Sequence, residues 1–204
     1  ETARHEMYFR MLLDDATGQI TYLLADLNAA QAVLIDPRAQ DAAVIQAMLD
    51  EHRLRLVSVL CTDGHEQCCA QCPELIVAMP EVLDLPSTAA LCDGDTVVFG
   101  SEYLRVFATP GHTDQALSYQ WRDRVFCGGL LTPMGCPDRP GVINPSAWWE
   151  SVSRKVFMLP PETLLFNGHA RNDWSVSNVW TQRRHHPWFA GLCRDDALAL
   201  MKVN

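Results

Sequence analysis

No apolar run in the 204 residues approaches the ~20 that a membrane-spanning helix requires. Positive charge is scarce: 16 Lys and Arg stand against 25 Asp and Glu, a net charge of −9. Nucleic acids and anionic membranes both need clustered cations, so neither is an expected partner. The first residues, Glu1-Thr2-Ala3-Arg4-His5, hold no apolar signal segment, and a cytoplasmic setting is the expectation. Internal repeats, low-complexity tracts and linker-like stretches are missing too. One domain over residues 1–204 is expected, with an ordinary globular composition of 48% apolar and 20% charged residues.

Cysteine is the exception to this sparseness, with eight residues. A secreted disulfide framework belongs to much smaller domains, so these read mostly as reduced thiols. Cys61, Cys92, Cys127 and Cys193 sit among apolar neighbours and read as core filler. Cys69-x-x-Cys72 is half a zinc knuckle or a redox pair, and no second CxxC completes a four-thiolate site.

The densest chemistry follows an apolar run, Leu54 to Leu60: Asp63, His65, Glu66, Cys68, Cys69 and Cys72. A buried strand ending in such groups sets them at a strand edge, where sites of α/β proteins gather; the alternative is a polar surface turn. Around it, strands are expected at Met7–Leu13, 20–25, 32–35, 96–99, 103–108, 117–121, 124–129 and 163–166. Helices are expected over 41–53 with Asp41 as cap, over 146–159 with Ser146 as cap and Trp149, Val152, Val156 and Leu159 on one face, and over 195–201. Short pieces fall at 74–79 and 82–86, and residues 132–145 read as a loop. Strands feeding turns, with helices outside, give an α/β sandwich.

Three strands run toward histidine: Leu60 into Asp63/His65/Cys68, Ala108 into His112, and Phe166 into His169. Asp63, His65 and His112 make a two-imidazole, one-carboxylate set. That composition suits Fe(II) with open positions or Zn(II) with a bound water. Cys68 and His169 can extend it, and a thiolate ligand favours zinc. The alternative is a pocket without metal. Trp148, Trp149, Trp174, Trp180 and Trp188 read as packing between helix and sheet, or as a ligand cleft. His185-His186-Pro187 reads as a helix end or a surface metal site.

The chain resembles the metallo-β-lactamase superfamily, and within it the persulfide dioxygenase branch close to glyoxalase II. The residues that carry the resemblance are Thr21 to Asp26, Ala32 to Pro37, Asp93-Gly94-Asp95, Thr109-Pro110-Gly111-His112-Thr113, Val125 to Leu131, Gly135-Cys136 and Gly168-His169. The resemblance implies an αββα sandwich of two mixed β-sheets flanked by helices. It also implies a metal site at one sheet edge. The superfamily motif Thr-His-x-His-x-Asp-His reads Thr62-Asp63-Gly64-His65-Glu66-Gln67-Cys68 here. The single iron of the dioxygenases would fall on positions 63, 112 and 129, which are Asp63, His112 and Gly129. Of the glutathione contacts, Arg139 is displaced by one position and Arg171 replaces a tyrosine.

Read from the residues themselves, the expected catalytic groups are Asp63, His65 and His112. Metal ligands would come from Asp63, His65, Cys68, His112 and His169, holding one Fe(II) or Zn(II) or none, and Arg139 and Arg171 would meet the substrate. The function expected is metal-dependent action on a small thiol or persulfide, by O₂ insertion or by hydrolysis. Two alternatives stand beside it: an inactive homologue binding a sulfur species or a protein partner, and a metal-free thiol function at Cys68/Cys69/Cys72. A homodimer is an open alternative to a monomer.

Overall fold

The computed structural model describes residues 7–63, 73–86, 90–131, 144–171 and 174–201, with the backbone alone at 171 and 174. Two sheets form. The first has the order β1 (Met7–Leu13), β2 (Ile20–Asp26), β3 (Gln31–Ile35) and β4 (Arg55–Leu60). β1, β2 and β3 pair antiparallel, and β3 pairs β4 in parallel. The second sheet has six strands: β5 (Thr96–Phe99), β6 (Glu102–Ala108), β7 (Leu117–Trp121), β8 (Arg124–Gly128), β9 (Leu164–Arg171) and β10 (Trp174–Asn178). Their spatial order is β10-β9-β8-β7-β6-β5, with only β8 and β9 parallel. Both sheets are therefore mixed, as expected.

The layering follows from strand periodicity. Successive side chains of a strand face opposite ways, so a strand covered on both faces is apolar throughout. β2 is buried along its whole length. Its Leu23 and Ala25 pack with Ile45 and Leu49 of helix α1 (Ala42–Glu51) and Leu75 of α2 (Pro73–Ala78). Its Ile20, Tyr22 and Leu24 face the other sheet, meeting Phe126, Phe166, Tyr119 and Val106. β8 repeats the pattern: Phe126 points between the sheets, while Val125 and Cys127 pack with Trp148 and Val152 of α3 (Pro145–Arg154). Helices thus cover both outer faces, and the result is the αββα sandwich. Among the described residues no helix is long and apolar enough to cross a membrane.

Several expectations are corrected. Asp41 stands at the cap position of α1 as expected, but its side chain makes no capping bond and accepts instead from Arg38 Nε at 2.8 Å. The cap of α3 is Asn144 rather than Ser146: its side chain accepts from Ala147 N–H at 3.0 Å, and Pro145 follows with φ preset for a first turn. α3 stops at Arg154, and Val156–Met158 forms a separate 3₁₀ turn. The tryptophan buried beneath α3 is Trp148, not Trp149. The 74–79 and 82–86 pieces are α2 and a 3₁₀ turn at Pro80–Asp84. β9 runs on to Arg171, so His169 lies within a strand. Two elements were not anticipated, β10 and α4 (Val179–His185). The C-terminal helix is α5 (Arg194–Met201). Cys61 and Cys127 are buried as expected, whereas Cys92 and Cys193 are exposed.

A buried polar bond joins the two sheets beneath the strand ends. The buried Tyr22 hydroxyl of β2 donates to the backbone carbonyl of Asn167 in β9. Burial drives the Tyr22 phenol far above its ordinary range, so it is a fixed donor. Tyr22→Phe should leave that carbonyl without its donor and lower stability by about 1–3 kcal/mol in urea unfolding. An unchanged midpoint would show that the bond carries no net stability.

Candidate functional site

The site grows from the parallel pairing of β3 and β4, which brings their ends side by side. Asp36, just past β3, donates its N–H to Leu60 O at 2.8 Å. It adopts a left-handed backbone (φ 51°), which aspartate tolerates better than most residues. Its carboxylate turns onto Thr62, accepting from the backbone N–H and from Oγ1, each at 2.7 Å. Three further bonds hold the chain after β4. Tyr119 Oη donates to Cys61 O at 2.7 Å, Leu117 N–H to Thr62 O at 2.7 Å, and Thr113 Oγ1 to Asp63 O at 2.8 Å.

His112 lies in the turn after β6, and α3 clamps that turn. Ser151 Oγ donates to Pro110 O at 2.7 Å and Asn144 N–H to Gly111 O at 3.1 Å. Lys155 Nζ donates to Ala108 O at 2.7 Å while paired with Asp93 at 2.8 Å. This ion pair is partly exposed and holds Asp93 below its ordinary carboxyl value.

These segments meet at the end of β8. A Cβ on Gly128 would stand 2.1 Å from Thr62 Oγ1 and 3.1 Å from Asp63 Oδ1. A Cβ on Gly129 would stand 2.5 Å from both Nε2 and Cδ2 of His112. Gly129 N–H itself donates to Asp63 Oδ1 at 3.3 Å. From β9, Gly168 closes over the pair, its Cβ position 3.2 Å from Gly128 Cα. The adjoining His169 is held by its backbone: Asn167 Nδ2 donates to its carbonyl at 2.7 Å, and a β-bridge joins it to Gln19.

Of the predicted site residues, Asp63 and His112 therefore come together against Gly129, and His169 follows Gly168, the residue that approaches Gly128. His65, Cys68, Cys69, Cys72 and Arg139 lie outside the described residues. Arg171 ends β9, opposite Trp174 in the register. His186 is no surface metal site: it is buried beside Trp148, Trp188 and Phe189 just past the end of α4. The tryptophans divide: Trp148 and Trp188 pack together, while Trp180 is exposed beneath Arg184.

Sequence reasoning missed Asp36, which it took only as a strand stop and part of the resemblance. Burial first, and Asp63 second, push its carboxyl up to about 7 against the two Thr62 bonds that favour the anion. The available signal was an aspartate closing a fully apolar strand. Cys127 is pushed up to about 12 by burial and is an inert thiol.

The iron set implied for positions 63, 112 and 129 does not fit these residues. Position 63 is a carboxylate, position 129 has no side chain, and the His112 ring fills the space where one would begin. An aspartate at 129 and the ring as it stands exclude one another. Among the described residues no group of three His, Cys, Asp or Glu is arranged to hold a metal ion.

No family model matches the chain. Human mitochondrial persulfide dioxygenase ETHE1 is 29% identical over 206 residues, which span 96% of this chain and 81% of that protein. The crystal structure of ETHE1 from Myxococcus xanthus superposes with a TM-score of 0.82 at 32% identity, over 96% of this chain and 90% of that one. The chain belongs to the metallo-β-lactamase superfamily, on its ETHE1-like branch. A hydroxyacylglutathione hydrolase from Fuscovulum blasticum is 31% identical over 159 residues, covering 72% of this chain and 61% of the hydrolase.

Asp36 resists ionisation when folded. Its contribution to stability is full below the ordinary 3.8 of an unfolded carboxyl and is lost as pH rises through about 7. Asp36→Asn stays neutral throughout. Between pH 4 and 8 the wild type should lose up to about 4 kcal/mol of unfolding free energy relative to the variant. Parallel pH profiles for the two proteins would contradict the assignment.

Proposed function

We propose that this protein binds a small thiol-linked compound at the strand ends and does not carry the iron chemistry of its ETHE1 relatives. The observation behind this reading is the His112 ring against Gly129, in the space a ligand side chain at 129 would need. The ligand class rests on the relatives' names, a persulfide dioxygenase and a hydroxyacylglutathione hydrolase. Asp63 and His112 form the polar floor of the pocket, and Arg139 or Arg171 would meet a ligand carboxylate through a guanidinium fork. A reducing compartment, the cytosol, is the proposed setting, in keeping with the thiols of Cys92, Cys127 and Cys193.

A second reading keeps a metal in a rebuilt set. It is favoured by the meeting of a carboxylate, Asp63, and an imidazole, His112, at one glycine. Asp63, His65, Cys68, His112 and His169 would then hold one Fe(II) or Zn(II), a donor mixture that suits either ion. In that case Asp63, His65 and His112 would be the catalytic groups.

Metal analysis of protein purified without a polyhistidine tag separates the two readings. The first expects iron and zinc well below one equivalent per chain, no O₂ uptake with glutathione persulfide and added Fe(II), and measurable glutathione binding by calorimetry. One equivalent of metal that disappears in Asp63→Ala and His112→Ala would overturn it in favour of the second.

A further inference from the structure

We infer that Arg38 is a positioning residue of the site, acting through the turn between β1 and β2 on the backbone that carries His169 and Arg171. Arg38 stands two residues past Asp36, whose carboxylate fixes Thr62 beside Asp63. Its guanidinium is nearly buried and faces two aspartates at once. Nε donates to Asp41 Oδ2 at 2.8 Å, and Nη1 lies 3.1 Å from Asp14 Oδ2. The planar, multiply donating fork of arginine suits such a double contact.

Asp14 is the hub of the turn. Its carboxylate accepts from the Thr17 hydroxyl and from Ala16 N–H at 3.3 Å. Its backbone closes the loop: Gly18 N–H donates to Asp14 O at 2.7 Å, and Asp14 N–H to Gln19 O at 2.9 Å. The same turn docks on β9. Ala170 N–H donates to Gly18 O at 2.7 Å, and Gln19 bridges His169. The fit is close, since Gly18 has a left-handed backbone (φ 73°) and a Cβ there would stand 2.7 Å from Ala170 O.

The turn belongs to one sheet and β9 to the other, so this latch crosses between them. Ala170 stands between His169 and Arg171, the two predicted site residues of β9. The segment Asp36-Pro37-Arg38 therefore holds the site from two sides. Asp36 fixes the chain that carries Asp63, and Arg38, through Asp14 and Gly18, fixes the strand that carries His169. Its bearing on a ligand rests on the reading of these strand ends as the thiol-binding pocket.

The test compares Arg38→Met and Asp14→Ala with the wild type, and with Ser101→Ala at the opposite end of β2. Ser101 Oγ donates to Asp26 at 2.6 Å, so that variant loses a polar bond far from the site. Amide hydrogen exchange is read residue by residue, and glutathione binding by calorimetry. Arg38→Met and Asp14→Ala should each speed exchange at Ala170 about tenfold more than at Leu34 in β3, and weaken glutathione binding about tenfold. Ser101→Ala should show neither effect. Wild-type protection at Ala170 in either variant would overturn the inference, as would lost protection with glutathione affinity unchanged. Should Arg38→Met fail to fold, Asp14→Ala, altered in a partly exposed turn, carries the test with the same outcomes. A wild type without affinity for glutathione would sink the thiol reading alone, since exchange at Ala170 reports the latch directly.

Discussion

Close approach at Gly128 and Gly129 is the constraint on which the site depends. Four segments converge there: Thr62 and Asp63 after β4, His112 after β6, the glycine pair after β8, and Gly168 within β9. None of the approaches leaves room for a Cβ of ordinary contact distance. Backbone without side chains is what lets a carboxylate, an imidazole and two strand ends share so small a volume. The same feature removes a side chain that the ETHE1-like pattern would use as a ligand. Packing and chemistry are therefore not separable at this position.

The scaffold supplies that convergence through hydrophobic layering. β2, β3 and β8 are buried on both faces, so their registers are strongly fixed, and a slip of one residue would exchange the two cores. Fixed registers place Ile35 beside Leu60 and Gly128 beside Asn167. The polar bonds at the rim, from Asp36 to Thr62 and from Tyr22 to Asn167, then orient the chain ends. Burial first, and Asp63 second, hold the Asp36 carboxyl up to about 7, the electrostatic cost of burying it beside another acidic group.

Much of the fold was legible because apolar periodicity is strong where both faces are covered. Met7–Leu13, the β4 strand and the fourfold approach to one rim are visible in the residues. What was not legible has local causes. β9 continues past Phe166 because Tyr22 and Gln19 hold Asn167 and His169 from outside the segment, which no window of sequence contains. β10 is an edge strand with alternating Ser175 and Ser177, too polar to stand out. Ser146 looked the better cap, yet the chain turns one step earlier, where Asn144 precedes Pro145. At the site, Gly129 reads as a deleted ligand in sequence. Only the structure brings the His112 ring into its place, because that contact joins two loops 17 residues apart in number, 112 and 129.

The central claim is that the imidazole, not a metal, occupies the floor of this site. It is tested most directly by crystals grown anaerobically with Fe(II) and measured at the iron absorption edge. The account predicts no anomalous peak between Asp63 and His112, with the His112 ring lying against Gly129. An anomalous peak bonded to a His112 ring that has swung away from Gly129 would contradict it.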